Sequence, residues 1–425
     1  MEKADVVIVG GGITGCATAY YLAKRGMRPV VLEKGRIAGE QSSRNWGFVR
    51  QQGRDPAEVP LMMASNRMWR DLEAELGEDL EWTQGGNLVV ADTQEKLALF
   101  EGWLEVAKTH QLDSRLLTKT EVERAIPGIR TDAFGALYTP SDGHAEPAKV
   151  APAFARAAQK LGASVREQCA VLGIETQGGK VSGVVTERGA IAAPSVVVAG
   201  GAWTSRLLRR MGVSLPQLWM RATVARTTPV AREITKMGVW AGLAFRQRRD
   251  GTFNIAAGGS ADHDVMWDSL RYGLAFADAY KKNKDFLRLH LTQRFFSHLP
   301  GRLSQKAFEA ELKANRTLDP PANPNLVTQA IETLRRTFDG FESVGVERSW
   351  AGYIDFTPDM IPVLDRLDSG LVVATGLSGH GFGMGPIMGR LAAELASGAR
   401  ASLDIRAFRL GRFTDGTKIE AKNVI

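Results

Sequence analysis

Val6-Val7-Ile8-Val9-Gly10-Gly11-Gly12-Ile13-Thr14-Gly15, followed by Glu33 eighteen residues after Gly15, is the stretch that decides the fold. It reads as an apolar strand, a glycine turn and a helical run over 17–24, with Gly26 where a helix C-cap belongs and a second strand over 29–33. Gly10 permits the tight turn, Gly12 lets backbone approach a pyrophosphate, and Gly15 lets the helix pack on the strand. Ile13 and Thr14 lie in the first helical turn, whose free N–H groups and partial positive charge favour phosphate. A carboxylate at Glu33 would accept hydrogen bonds from a ribose diol and repel a 2′-phosphate. A bare glycine fingerprint is also an ordinary structural turn. Both strands, the helix and the acid together specify a dinucleotide site, with NAD and FAD still open at this point.

Working outward, 425 residues at ~150 per domain imply two or three domains, and 44% apolar with 24% charged residues is an ordinary globular composition. The net charge of +7 is spread over separate clusters, Arg206, Arg209 and Arg210, then Arg246, Arg248 and Arg249, then Lys281, Lys282 and Lys284. These form no continuous basic stripe, so nucleic acid is not the expected partner. Cys16 and Cys169 are the only cysteines, without CxxC or His/Cys ligand spacing, so neither a disulfide framework nor a metal site is expected. Residues 1–5 leave no room for a leader before the first strand, and no run of 18 apolar residues offers a transmembrane segment. A cytoplasmic protein is expected, with its oligomeric state open.

Further along, 58–76 has the periodicity of a helix with one buried face, 87–91 and 135–138 read as strands, and 148–161 is Ala-rich and helical. Residues 170–175 and 180–187 flank Gln177-Gly178-Gly179 as a hairpin, and 195–199 is a short apolar strand suited to a parallel sheet. From 215 to about 350 the strands become longer and more polar, with a hairpin at Arg249-Asp250-Gly251, a basic helical stretch over 268–314 and a Pro-rich loop over 319–324. Strand 371–374, a glycine-rich turn and helix 387–396 return to the opening pattern. The expected class is α/β. A Rossmann-like nucleotide domain comprises 1–82, 144–213 and 350–425. An α+β substrate-binding domain comprises 83–143 and 214–349, with a helical module at 268–314.

Several separated motifs, in order, resemble the glycine, sarcosine and D-amino acid oxidase group of FAD amine oxidoreductases. They are Val7-Ile8-Val9-Gly10-Gly11-Gly12, Ser42-Ser43-Arg44-Asn45, Val196-Val197-Val198-Ala199-Gly200-Gly201-Ala202-Trp203, Trp350-Ala351-Gly352-Tyr353 with Thr357-Pro358-Asp359, and Gly376-Leu377-Ser378-Gly379-His380-Gly381-Phe382. Within that group, Glu40-Gln41-Ser42-Ser43-Arg44, Gly173-Ile174-Glu175-Thr176 with Gly178-Gly179-Lys180, and Phe245-Arg246 with Asp250-Gly251-Thr252 look like segments of bacterial L-amino acid deaminases. Those enzymes carry a membrane-anchoring helix before the first strand, which this chain lacks, and an extra helical module, for which 268–314 is the candidate. The missing anchor bears on the electron acceptor.

The resemblance implies non-covalent FAD and oxidative deamination of an L-amino acid to a 2-oxo acid and ammonia. Hydride would pass from Cα to flavin N5, and O2 would reoxidise the flavin to give H2O2. A secondary-amine oxidase or a D-amino acid dehydrogenase is the alternative within the group. A nicotinamide-dependent dehydrogenase would leave the final glycine turn and Ser42-Ser43 without purpose, and a membrane-surface or nucleic-acid binder would use only the basic 268–314 stretch. Candidate cofactor contacts are Gly10, Gly12, Ile13, Thr14, Gly15, Glu33, Lys34, Gln41, Ser42, Ser43, Arg44, Asn45, Val171, Gly200, Gly201, Trp203, Gly379, His380, Gly381, Phe382 and Gly383. The 42–44 segment could reach the pyrophosphate and flavin edge, or be a solvated loop. Val171 would meet adenine through its backbone, by resemblance only.

The Gly379-His380-Gly381-Phe382 turn opens a second helix N-terminus, whose dipole could stabilise negative charge at flavin N1 and the C2 carbonyl. His380 is read as a flavin-packing residue, with a base as the other role. Arg246 shares a strand face with Ala244 and Arg248, and spacing alone suggests a solvent-facing arginine. The resemblance instead makes it the two-point anchor of the substrate carboxylate. Arg50 is a second candidate, matching an arginine near the flavin in sarcosine oxidases. Trp350 and Tyr353 either wall the pocket or belong to the core. Sarcosine oxidases attach flavin through a cysteine whose place here is Ala351, and Cys16 lies beside the pyrophosphate turn.

Overall fold

The computed structural model describes residues 2–130, 132–258, 260–297 and 304–421. Its nucleotide-binding part is a six-stranded sheet in the order Val363–Arg366, Leu371–Thr375, Val196–Val198, Val6–Val9, Pro29–Leu32, Ser164–Arg166. All neighbours are parallel except the antiparallel edge strand Val363–Arg366. The central strands are buried, save for half-buried Val9 at the cavity end, because both faces are covered, which is why they read as unbroken apolar runs. On one face, helix Ile13–Ala23 packs among Val59–Leu76, Pro147–Lys160 and Gly381–Ala396. On the other lie the hairpin Val171–Gln177/Lys180–Thr186 and helix Thr204–Arg209.

The first helix begins at Ile13, four residues before its apolar periodicity becomes visible, because the glycine turn feeds it directly. Gly10 has φ +110°, and a Cβ there would lie 2.5 Å from Ala199 O. At Gly15 a Cβ would overlap Gly10 O, so the helix start and the strand end touch through backbone alone.

The second part is a ten-stranded sheet. Its backbone is the long strand Leu218–Thr227, paired antiparallel with Val346–Phe356 over ten positions and also with Phe253–Ala257. The hairpin at Arg249-Asp250-Gly251 joins Leu243–Gln247 to Phe253–Ala257, matching the turn residues in the sequence. Helices Gln94–Thr109 and Lys119–Ala125, which composition did not signal, cover the Asn87–Ala91 end. The 268–314 stretch is not wholly helical. Leu287–Leu291 is a strand parallel to Ala261–Val265, between the helices Ala277–Asn283 and Gln293–Ser297. Its alternation of Leu and polar residues carries period two, which the basic composition hid. Residues 298–303 of that stretch lie outside the described ones. No helix among the described residues is long and apolar enough to cross a membrane.

Candidate active site

A cavity of about 410 Å3 runs from the carboxyl ends of the parallel strands to the inner face of the large sheet. Its lining includes Gly10, Gly12, Ile13, Thr14, Glu33, Lys34, Gln41, Ser42, Arg44, Asn45, Val171, Gly200, Gly201 and Trp203 at one end. Gly379, His380, Gly381, Phe382, Tyr353 and Arg50 line the other. The glycine turn and the 379–382 turn, far apart in sequence, therefore open into one space.

At the first end Glu33 Oε2 accepts from Gly11 N at 2.8 Å and Oε1 from Gly35 N at 2.7 Å. Burial pushes its carboxyl upward against those backbone bonds, and both oxygens keep a lone pair for a diol. Ser42 Oγ accepts from Ile13 N at 2.9 Å, capping the first helix from a different segment. Thr14 Oγ1 and Thr204 Oγ1 line the cavity buried and without a hydrogen-bond partner. Lys34 Nζ is held by Glu40 at 2.5 Å and by the carbonyls of Asn315 and Arg316, over the Trp203 ring. Arg44 is bonded to the Ala351 and Gly39 carbonyls and to Asp319, so its guanidinium ties the 41–44 helix to strand Val346–Phe356.

Several named residues do not line the cavity. Gly15 is packed against the strand, and the Ser43 hydroxyl turns back to Ala38 O at 2.5 Å. Gly383 gives its carbonyl to Ser65 Oγ and Trp69 Nε1. Trp350 donates to Arg44 O at 3.0 Å. Arg246 departs furthest from expectation. It is 1% exposed, and its guanidinium donates to Ala145 O at 3.0 Å and Glu146 Oε2 at 3.1 Å. Gly47 lies against it, between the lining residues Trp46 and Phe48. A carboxylate partner already inside the protein therefore occupies the fork that was expected to hold substrate. Tyr353 is both wall and core: it lines the cavity, packs on Trp219 and donates its hydroxyl to Asp264.

At the far end, the cationic groups facing the cavity are Arg50 and, unnoticed in the sequence, Arg54. Arg54 Nε donates to Arg50 O at 3.2 Å, while its Nη1 is buried with no hydrogen-bond partner. Burial, and then repulsion from Arg50, lowers its pKa to about 9. Arg50 is shifted down as well, by burial. Glu58, fully buried, accepts from His380 Nδ1 at 3.0 Å, and its Oε2 has no hydrogen-bond partner. Burial first, then Arg54, holds His380 below the ordinary imidazole pKa. With Nδ1 donating to Glu58, Nε2 of the neutral ring is left as an acceptor. Arg54 lies four residues past Arg50 in an irregular segment, and only that repeat of arginine hinted at it. Asp355 was also missed: its Oδ2 gathers Gly376 N, Gln217 Nε2 and Thr375 Oγ1 within 3.1 Å, fixing the turn that leads to His380.

A groove that begins at a phosphate turn and ends beside Arg50 and Arg54 is the plan of a dinucleotide-dependent oxidoreductase. The family described as FAD dependent oxidoreductase (DAO) matches residues 5–395, and the chain belongs to it. Glycine oxidase of Bacillus subtilis (strain 168) is 26% identical over 96% of this chain and 97% of its own. Mouse mitochondrial sarcosine dehydrogenase is 27% identical over 98% of this chain, which spans 42% of that protein's length. Among solved structures, L-amino acid deaminase from Proteus myxofaciens in complex with anthranilate superposes with a TM-score of 0.92 at 29% identity, covering 98% of this chain and 94% of that one. L-Proline dehydrogenase from P. horikoshii gives 0.81 at 25% identity, covering 99% and 100%.

The residues present fit FAD: the unpartnered Thr14 and Thr204 hydroxyls and the side-chain-free Gly10–Gly12 cradle face the groove where a pyrophosphate belongs. Cys16 and Cys169 are buried and do not line the cavity.

Proposed function

We propose that the protein oxidises an α-amino carboxylate, an L-amino acid, to the imino acid, which water converts to a 2-oxo acid and ammonia. The observation that carries this is the Arg50–Arg54 pair in the chamber at the far end of the nucleotide groove, with Arg54 Nη1 unpartnered. A buried guanidinium, Arg54, and a half-buried one, Arg50, facing one space favour an anionic group there, and a carboxylate matches the guanidinium fork. Arg50 and Arg54 hold the carboxylate, and His380 Nε2 accepts a proton of the amino group. The Phe48, Phe382 and Tyr353 side chains exclude water around the Cα. When bound in this groove, FAD would supply the two-electron acceptor for the hydride, with O2 as the terminal oxidant. Arg246 takes a positioning role in this reading, supporting the Trp46–Phe48 wall from behind through its bond to Ala145 O. We also propose that the two sheets mark the nucleotide-binding and substrate-binding domains at the boundaries expected from sequence.

The likeness to an L-amino acid deaminase structure supports a primary amine, while the sarcosine and glycine enzymes among the relatives support N-methylglycine or glycine as a second reading. Products separate the two: a primary amino acid yields a 2-oxo acid and ammonia, N-methylglycine yields formaldehyde and glycine. Peroxide release and product analysis over L-amino acids, D-amino acids, sarcosine and matching amines without the carboxylate test the proposal. Turnover of L-isomers and silence with the decarboxylated amines is expected. Equal rates with and without the carboxylate would sink it.

A further inference from the structure

The inserted stretch contributes a wall to the groove that no motif of the chain predicted. Helix Gln305–Ala314, capped by Ser304 Oγ accepting from Ala307 N at 3.2 Å, places Phe308 and Leu312 on one face, four residues apart. Both line the cavity. They share one apolar cluster with Leu32, Ala170, Val171, Trp203 and Leu207, the residues around Glu33. Since Glu33 is the ribose-binding acid of a dinucleotide fold, this is the adenosine end. The helix is held there by polar contacts to the nucleotide-binding part. Glu311 pairs with Arg206 at 2.5 Å, Arg316 with Glu187 at 2.5 and 2.7 Å, and Leu318 N donates to Glu40 at 3.0 Å. Lys34 Nζ reaches the Asn315 and Arg316 carbonyls at 2.8 and 3.0 Å, and a Cβ at Gly35 would overlap Arg316 O.

We infer that helix Gln305–Ala314 is part of the cofactor site: Phe308 and Leu312 close over the adenosine half of FAD, so uptake and release of the cofactor require this helix to lift. The argument rests on the reading of the groove as the FAD site and adds an element that the glycine fingerprint does not contain. Two apolar side chains against a purine and ribose remove area from water that the strands alone would leave open. Besides Phe308, Leu312 and Leu318 in that cluster, the segment is fastened by ion pairs and carbonyl contacts, which can part without unfolding the sheet beneath.

The test is binding, measured on apoprotein of the full chain by quenching of flavin fluorescence and by displacement with AMP. Phe308→Ala and Leu312→Ala should each weaken FAD about tenfold and weaken AMP to a similar degree. Binding of FMN, which has no adenosine, should stay the same. Glu187→Gln, which leaves every lining residue in place, should speed FAD release several-fold. Limited proteolysis should cut apoprotein within 304–319 and spare the FAD-loaded form. Variants that hold FAD and AMP as tightly as the parent, or cleavage indifferent to FAD, would overturn the inference. A parent that takes up no FAD at all would instead remove the cofactor reading beneath it. Should Phe308→Ala fail to fold, Leu312→Ala and Glu187→Gln decide alone.

Discussion

At the nucleotide end of the cavity Glu33 and Lys34 are held by partners within the protein, whereas at the far end Arg54 and Glu58 each keep one buried polar atom without a hydrogen-bond partner. Glu33 is satisfied by two backbone N–H groups and Lys34 by a carboxylate and two carbonyls. Arg54 keeps a buried donor unmatched, and Glu58 a buried acceptor. The first end is a preformed mould that gains little by rearranging around its ligand. The second leaves electrostatic work undone until an anion arrives, which ties affinity there to the charge of the ligand. Arg246, behind the same wall, differs in that its charge is matched by Glu146, although its Nε also has no hydrogen-bond partner.

The most severe way to break the mould is Gly15→Val. With Gly10 O already where a Cβ would go, the helix cannot seat on the strand, and no flavin-loaded protein is expected. Absorbance of the purified variant reports it, and a yellow, stable product would mean the turn does not shape the groove.

Next in size is Arg246→Met, which leaves Arg248, at 3.0 Å, as the remaining cation paired with buried Glu146. A broken buried pair typically costs 3–5 kcal/mol, so the melting temperature should fall by many degrees while the KM of the surviving folded enzyme barely moves. A steep rise in KM at unchanged stability would restore Arg246 as the carboxylate anchor.

Arg54→Ala should do the reverse. Loss of a charged contact made by the substrate is worth roughly 3 kcal/mol, so kcat/KM should drop about a hundredfold, with FAD content and melting temperature held. Arg54→Lys should recover part of it, since a lysine keeps the charge but not the fork. Equal kcat/KM in the alanine variant would leave Arg50 as the sole candidate.

The two ends also differ in how far they could be read from sequence. The glycine turn, Glu33, the hairpins and the short apolar strands were legible because each is a local pattern: spacing fixes geometry over a few residues. The choice between Arg246 and Arg54 was not. Both are arginines near apolar residues, and what separates them is that Glu146, a hundred residues from Arg246, folds against one of them and not the other. The strand at Leu287–Leu291 was hidden for a related reason, since it exists only by pairing with Ala261–Val265. Lining by Phe308 and Leu312 likewise needs the fold to bring residue 308 beside residue 171.

The smallest effect concerns His144, which lies on the strand pair Gly143–His144/Phe48–Val49 between the two chemistries. Burial, and then the Arg246 charge, lowers its pKa to about 3, so it stays neutral in the fold while the unfolded chain takes up a proton near pH 6.5. The unfolded state then binds more protons throughout that window, and stability must rise with pH between about 3 and 6.5. From pH 7 down to 5 this one group should cost on the order of 1–2 kcal/mol. Burial raises Asp142 to about 6, giving the opposite slope between roughly pH 4 and 6, so the parent's net profile mixes the two. The difference between parent and His144→Asn isolates the histidine: melts of the variant should lose less between pH 7 and 5 than those of the parent. Parallel profiles would mean that His144 accepts its proton inside the fold, and that Arg246 is screened from it more fully than its burial implies.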